Sequence, residues 1–161
     1  PGPASGSAHT VLVQTASLST VRAALPDASD LPPVRIAARP DDDWLGVVAS
    51  RKWGLPEAGI AVLTGPPLTG FASVYDSGVL VATGRGVVTD GWLGLTLVEV
   101  SPSARRRGLA RHVVAGLVTW ATRHRAERGY LQVEQHNDAA LGLYGELGFA
   151  THHTYVYRVA P

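Results

Sequence analysis

The chain has 161 residues, of which 45% are hydrophobic and 17% are charged. The length fits one folded domain, and the composition excludes an intrinsically disordered chain. It contains no cysteine, which excludes disulfide frameworks, thiolate zinc sites and cysteine nucleophiles and favours a reducing compartment such as the cytoplasm. No apolar stretch approaches the roughly 18 to 20 residues that span a bilayer. The net charge of +1 argues against a general nucleic-acid surface. We therefore expect a cytoplasmic protein with no membrane or nucleic-acid partner. Every basic residue except Lys52 is arginine, a bias typical of a GC-rich bacterial genome.

The first part of the chain alternates short predicted elements with proline-rich breaks. Residues 1–9 are mostly small and include two prolines, which predicts a flexible linker. Residues 10–33 are interpreted as an N-terminal strand and helix extension that could be the tail of a preceding domain. Its strand is predicted at residues 10–14 and its helix at 17–25, with Ser17 or Ser19 as the cap.

The main domain is predicted to cover residues 34–161. It starts with a short strand at 34–37 and a helix of about three turns that begins near three aspartates at 41–43. After residue 59 the hydrophobic pattern has a period of two and predicts an antiparallel meander, with strands at residues 60–63, 71–75, 79–88 and 92–100. A helix, a strand, a helix and a strand follow, predicted at residues 105–127, 130–134, 139–147 and 154–159.

Three adjacent arginines and a glycine stand where a strand gives way to a helix, at Arg105, Arg106, Arg107 and Gly108. Cations at a helix N-terminus oppose the helix dipole, each by roughly 0.3 to 1 kcal/mol at low salt. A bound anion would reverse this effect, because backbone N–H groups and guanidinium groups would all point towards it. Gly108 and Ala110 would let a bulky diphosphate approach the backbone. The pattern favours a phosphate or pyrophosphate site, with a solvated arginine run as the alternative.

Residues 105–110 resemble the pyrophosphate loop of the GNAT superfamily of acyl-coenzyme A-dependent N-acyltransferases, Gln/Arg-x-x-Gly-x-Gly/Ala. A downstream segment resembles the second coenzyme A segment of that family, with Asn137, an alanine two residues later, Leu143-Tyr144 and a closing Gly148-Phe149. The two motifs stand in the family's order, separated by one helix and one strand. Together they identify the chain as similar to this superfamily.

The resemblance covers about residues 34–161 and implies a mixed α/β fold. The expected sheet has six or seven mainly antiparallel strands, helices on both faces, and a splayed parallel strand pair that holds coenzyme A. Acetyl-coenzyme A is the implied cosubstrate, and no metal is expected. The alternative for Asn137 is a cap on the following helix, and the two roles can coexist. The residues that the resemblance assigns to coenzyme binding are Val98, Val100, Arg105, Arg106, Arg107, Gly108, Leu109, Ala110, Asn137 and Tyr144.

Two side chains are the candidates for catalysis, Tyr144 and Glu99. The resemblance implies that Tyr144 protonates the departing thiolate, since a phenol of pKa about 10 can donate to a group of pKa about 8.5. Core packing is the alternative for this tyrosine. Glu99 is the first candidate for the base that takes the amine proton, with Glu134, His136 or a water chain as alternatives.

The implied activity is transfer of an acetyl group from acetyl-coenzyme A to a primary amine of a small molecule, peptide or protein. Direct attack is expected, because no cysteine is present to carry the acyl group. The alternative is a catalytically silent acyl-coenzyme A sensor or scaffold module of a larger protein. The acceptor pocket is expected from residues 41–53 and 65–70. The tryptophans are expected in the core, and Trp44 or Trp53 is the alternative candidate for this pocket. The sequence leaves the acceptor, the acyl preference and the choice between monomer and homodimer open.

Overall fold

A computed structural model describes residues 6–49, 65 and 68–160, which build one seven-stranded sheet with helices on both faces. None of the helices in these ranges is long and apolar enough to cross a membrane. The predicted strand at 60–63 lies outside the described residues. The elements in chain order are β1 (Ala8–Ser17), α1 (Leu18–Ala24), β2 (Val34–Ala37), α2 (Asp42–Ala49), β3 (Thr69–Asp76), β4 (Val79–Thr89), β5 (Trp92–Val100), a 3-10 turn (Pro102–Ala104), α3 (Leu109–Arg123), β6 (Arg128–Glu134), α4 (Asp138–Glu146) and β7 (Ala150–Arg158).

The strands lie in the order β2-β3-β4-β5-β6-β1-β7. Strands β3 to β5, the described part of the predicted meander, pair antiparallel, and β2 pairs antiparallel with β3. Positive φ angles at Asp90 (51°) and Gly91 (82°) close the hairpin between β4 and β5, as the Asp-Gly sequence predicts. Strands β5 and β6 form the parallel pair. The predicted fold class is therefore confirmed, with seven strands.

Strand β1 lies inside the sheet, between β6 and β7, and pairs antiparallel with both. The sequence pattern places residues 8 and 9 in a linker and residues 10–33 in an extension, whereas β1 runs over Ala8–Ser17. The difference has a physical reason, because the partners of this strand stand at the other end of the chain. Val11, for example, lies between Glu134 of β6 and Tyr155 of β7. The hydrophobic pattern of a short segment does not indicate which distant strands pair with it.

Helix α2 packs against β3 and β4 on one face of the sheet, termed the α2 face. Asp41 caps the helix, its Oδ1 accepting from the Trp44 backbone N–H at 2.8 Å. Trp44 is completely buried, donates from Nε1 to the Ala72 carbonyl at 3.1 Å and meets Phe71 edge to face at 5.0 Å. Trp44 is therefore a core residue, as expected for the tryptophans in general, and its buried ring anchors the helix instead of reaching into a pocket. Trp53 lies outside the described residues.

Helix α3 packs on the opposite face, the α3 face, together with α1 and α4. It begins at Leu109 rather than at residue 105, because Arg106 (φ 66°) and Gly108 (φ 78°) have left-handed backbone conformations that a helix does not contain. It ends at Arg123, just before another such residue, Arg125 (φ 67°). Residues 105–108 therefore form a turn and leave the helix N-terminus open.

Gly84 allows α3 to lie directly on β4. A Cβ at this position would stand 2.5 Å from Val113 Cγ1 and 3.1 Å from Leu117 Cδ1. We expect Gly84→Ala to lower the free energy of unfolding by about 1 to 3 kcal/mol through overpacking. Gly46→Ala is the control, since a Cβ there meets nothing within 4 Å, and it should raise stability by up to about 1 kcal/mol. Urea unfolding measures both, and equal effects would contradict the close approach.

Candidate functional site

The parallel strands β5 and β6 separate at their carboxyl ends. Their pairing stops at Leu95 and Leu131, although β5 continues to Val100 and β6 to Glu134. A groove of about 750 Å³ opens beside the separated ends, within the range of about 300 to 1,000 Å³ typical of small-molecule sites. This groove is termed the cleft groove. Its lining residues include seven of the candidate coenzyme-binding and catalytic residues: Val98, Glu99, Val100, Arg105, Ala110, Asn137 and Tyr144.

A β-bulge at Leu97 determines how β5 presents its residues to this groove. Leu97 has a φ of 56°, and the register with β4 shifts so that Thr83 pairs with Glu99 while Arg85 pairs with Thr96. The bulge therefore puts Thr96 and Glu99 on the same face of the sheet. That face is the α2 face, because Arg85 pairs with Phe71, the ring that packs against α2.

The main-chain groups of Val98 and Val100 point towards the cleft. The Leu97 carbonyl accepts from Thr83 Oγ1 at 3.4 Å, and the N–H of Ser101, directly after β5, donates to the Val81 carbonyl at 2.8 Å. The main-chain groups of Leu97 and Ser101 therefore face β4. Backbone polar groups alternate along a strand, and those of the intervening valines face the other way. This edge has no β6 partner, since β6 has already diverged.

A second cavity, of about 340 Å³, lies against α2 and is termed the α2-side cavity. Val47 of α2 and residues 80–83 of β4 form most of its apolar wall. It shares Glu99, Val100 and Arg105 with the cleft groove. Glu99 thus stands at the junction of the two cavities. Of the segments expected to form the acceptor pocket, the first contributes Val47, and the described part of 65–70 does not line this cavity.

The turn at residues 105–108 leaves the N-terminus of α3 without a side-chain cap, and the first turn of the helix contains no acidic residue. A Cβ built on Gly108 meets nothing within 4 Å, so the space in front of the helix is open. Uncapped N–H groups at the positive end of a helix dipole are donors for an anion. The site residues therefore fit the diphosphate of a coenzyme.

The arginines near this turn have different surroundings. Arg105 lines both cavities, whereas Arg106 and Arg107 line neither. Arg107 pairs with Asp76, Nη1 to Oδ2, at 2.9 Å. Arg111, in the first turn of α3, pairs with Glu146 at the end of α4. Arg105 is thus the arginine of the motif that faces the groove.

Asn137 caps α4, because its Oδ1 accepts from the Ala140 backbone N–H at 3.1 Å. The same residue lines the cleft groove. The helix-cap role considered from the sequence is therefore present, and it is compatible with contact to a ligand in the groove.

Tyr144 combines core packing with a place in the groove wall. The residue is only 9% exposed, and its ring meets Phe149 edge to face at 5.7 Å. It also lines the cleft groove. Burial raises the pKa of its phenol to about 12, so the hydroxyl keeps its proton throughout the neutral range.

The two other protein bases considered from the sequence line neither cavity. Glu134 Oε1 accepts from the Tyr157 hydroxyl at 2.9 Å and lies 4.0 Å from His9 Nδ1. His136 is exposed in the turn after β6. Of the three candidate side chains, Glu99 alone lines the junction.

Some residues of the site were not singled out from the sequence. Thr83 faces Glu99 only through the register of β4 and β5, which the sequence does not show. The ion pair of Arg111 with Glu146 ties α3 to α4 at the groove, and its partners are too far apart in the chain to form a local pattern. Within the described part of the chain, no group of three or more acidic or histidine side chains could hold a metal ion.

Comparison with known proteins relates the whole described fold to acetyltransferases. Residues 2–158 match the family described as "Probable histone acetyltransferase Rv0428c C-terminal". The chain is 38% identical over 94 residues to "Uncharacterized N-acetyltransferase YobR" from Bacillus subtilis (strain 168), a match that covers 58% of this chain. It spans only 38% of the length of that relative.

Solved structures share the fold at low sequence identity. A GCN5-related N-acetyltransferase from Sphaerobacter thermophilus aligns with a TM-score of 0.63 and 20% identity, over 99% of this chain and 54% of its own. AAC(6')-Iy, in complex with the bisubstrate analogue CoA-S-monomethyl-acetylneamine, aligns with a TM-score of 0.64 and 19% identity, over 80% of this chain and 99% of its own. At such identities the likeness concerns the fold.

Proposed function

Because the chain belongs to the Rv0428c C-terminal family of GNAT acetyltransferases, we propose that it transfers an acetyl group from acetyl-coenzyme A to a primary amine. The observation that carries this proposal is the junction at Glu99, where the cleft groove and the α2-side cavity meet. One cavity suits a coenzyme and the other an acceptor. A coenzyme and an amine held on either side of Glu99 would react faster, because their reacting groups are already close together.

The residues of the cleft groove fit acetyl-coenzyme A, which supplies an activated acetyl thioester. The open N-terminus of α3 and Arg105 would bind the diphosphate. The main-chain groups of Val98 and Val100 would bind and orient the pantetheine arm along the unpaired edge of β5. Asn137 would contact the coenzyme from the β6 side of the cleft.

In the proposed reaction Glu99 takes a proton from the acceptor ammonium and makes the nitrogen nucleophilic. The amine nitrogen then attacks the thioester carbonyl carbon, so that an N–C bond forms and the C–S bond breaks. The nitrogen loses its second proton to solvent and becomes a neutral amide nitrogen, and Glu99 also passes the proton that it took to solvent. Tyr144 donates its hydroxyl proton to the departing thiolate and regains a proton from solvent. The burial that raises the pKa of Tyr144 keeps the phenol protonated at neutral pH, so that the proton is present for this step.

We expect Glu99→Gln to reduce kcat/KM for the amine about tenfold at pH 7. The loss should shrink towards pH 10, where an amine of pKa about 10.4 deprotonates without help. Thiol release from acetyl-coenzyme A measures the rate. Glu127→Gln is the control, since Glu127 is an exposed carboxylate beside the other end of β6. A loss of the same size at both pH values would contradict a role as base.

The proposed function is tested by measuring thiol release with and without a panel of primary amines. We expect release that depends on an amine and saturates with both reactants. Binding of acetyl-coenzyme A without release for any amine would instead support the silent acyl-coenzyme A module.

A further inference from the structure

Strands β6, β1 and β7 carry aromatic and polar side chains on the α2 face. Tyr130 lies on this face, because a Cβ built on Gly94 would stand 2.8 Å from its ring, and Gly94 shares a face with Thr96. Alternation along β6 then puts Gln132 and Glu134 on the same face. Glu99 and Glu134 therefore project from the same side of the sheet, on the two strands that border the cleft.

Two tyrosines of β7 reach across β1 to these β6 residues. The Tyr155 hydroxyl donates to Gln132 Oε1 at 2.6 Å, and the Tyr157 hydroxyl donates to Glu134 Oε1 at 2.9 Å. Strand β1 lies between β7 and β6, so both side chains pass over it. Val11 of β1, paired with both Tyr155 and Glu134, is only 5% exposed. The two hydrogen bonds thus hold the tyrosine side chains in place over β1.

The carboxylate of Glu134 is the centre of a small cluster on this surface. His9 of β1 stacks on Tyr157, with ring centroids 5.0 Å apart and planes 15° apart, and its Nδ1 lies 4.0 Å from Glu134 Oε1. The side chain of Glu134 is 53% exposed, and its Oε2 makes no hydrogen bond within the ranges that the structure describes. These three residues, Glu134, His9 and Tyr157, are termed the Glu134 cluster.

We propose that the Glu134 cluster binds a second cationic group of the acceptor, separate from the amine that is acetylated at Glu99. This inference rests on the proposed function and names its substrate class, an acceptor with two cationic groups. A half-exposed carboxylate attracts an ammonium or guanidinium group through charge and charge-assisted hydrogen bonds, and the hydroxyl of Tyr157 holds this carboxylate in place.

The distribution of charge on the α2 face supports this assignment. Arg85 is 9% exposed and donates to Thr96, and Arg128 lies over the Trp92 ring at the opposite end of β6. These arginines therefore lie away from the Glu134 carboxylate. Neighbouring paired strands lie about 4.8 Å apart. Because β5 and β6 have already separated, the acceptor must span more than this distance between Glu99 and Glu134.

The test compares kcat/KM for linear diamines of increasing length with that for the matching monoamines. Lysine peptides with and without a neighbouring arginine form a second arm and distinguish a small-molecule source of the second cation from a peptide source. We expect the wild type to prefer the dications. The preference is measured as kcat/KM for the diamine divided by kcat/KM for the matching monoamine. This ratio should fall about five- to tenfold in Glu134→Gln and by less in Tyr157→Phe.

Glu127→Gln removes an exposed carboxylate elsewhere and should leave the ratio unchanged. A ratio that is the same in Glu134→Gln and in the wild type would overturn the inference. If no amine is acetylated at all, the proposed function fails, and calorimetric titration with the longest diamine decides the inference separately. Weaker diamine binding by Glu134→Gln than by the wild type would support the cluster, and equal or absent binding would overturn it.

Discussion

Replacing Gly108 by glutamate is expected to weaken acetyl-coenzyme A binding about a hundredfold. Gly108 is the N-cap of α3, where a Cβ meets open space in front of the helix N–H groups. A glutamate carboxylate would occupy the position that the diphosphate needs and would repel it. It would also accept the N–H bonds that the diphosphate would otherwise receive.

The backbone at Gly108 is left-handed, so a side chain there adds strain as well as charge. Gly91→Glu is the matched control, because Gly91 has a φ of 82° and equally open surroundings but lies in the hairpin turn between β4 and β5. Gly108→Ala separates the strain from the charge. Calorimetric titration should show near-normal binding in the Gly91 variant and intermediate binding in Gly108→Ala. Equal affinities in Gly108→Glu and Gly91→Glu would contradict the assignment of the loop.

Tyr144→Phe is expected to reduce kcat about 10- to 100-fold, with a much smaller change in the affinity for acetyl-coenzyme A. The ring would keep its contact with Phe149, so the variant removes the proton donor and little packing. Tyr155→Phe is the control, since that hydroxyl bonds Gln132 and does not line the cleft groove. An unchanged kcat in Tyr144→Phe would exclude this hydroxyl as the proton donor.

The pH dependence of Tyr144 follows from its burial. Its pKa of about 12 lies above the usual value of about 10, so the folded protein holds the phenol proton more tightly than the unfolded chain does. The rate should therefore show no loss through Tyr144 between pH 8 and 10. By linkage, the contribution of this group to stability is complete below about pH 10 and is lost as the pH rises towards 12. A fall in kcat centred near pH 10 that disappears in Tyr144→Phe would contradict this account.

Local patterns in the sequence predicted most elements that surround the site. The period-two segments, the Asp90-Gly91 turn and the helix that ends before Gly148 all have nearby physical causes, and the structure places β4, β5, β6 and α4 accordingly. The motif residues Arg105 and Asn137 reach the cleft groove because each follows a strand that borders the cleft.

Local sequence patterns did not predict the long-range strand pairing or the irregular backbone of β5. The place of β1 depends on hydrogen bonds with strands at the far end of the chain. The bulge at Leu97 determines which face Glu99 occupies, yet leucine gives no signal for a positive φ. The contacts of Glu134 with His9 and Tyr157 require three strands to be in register. For this reason the sequence alone could not show which of the candidate bases line the cavities.

The most direct test of the account is to follow an isotopically labelled acetyl group from acetyl-coenzyme A in the presence of a primary amine. Mass spectrometry of both the amine and the intact protein locates the label over a single turnover. We expect the label to pass to the amine nitrogen without appearing on the protein, at a rate that falls in Tyr144→Phe and Gly108→Glu. Label that remains on the coenzyme with every amine, or that first accumulates on the protein, would contradict direct transfer at the junction of the two cavities.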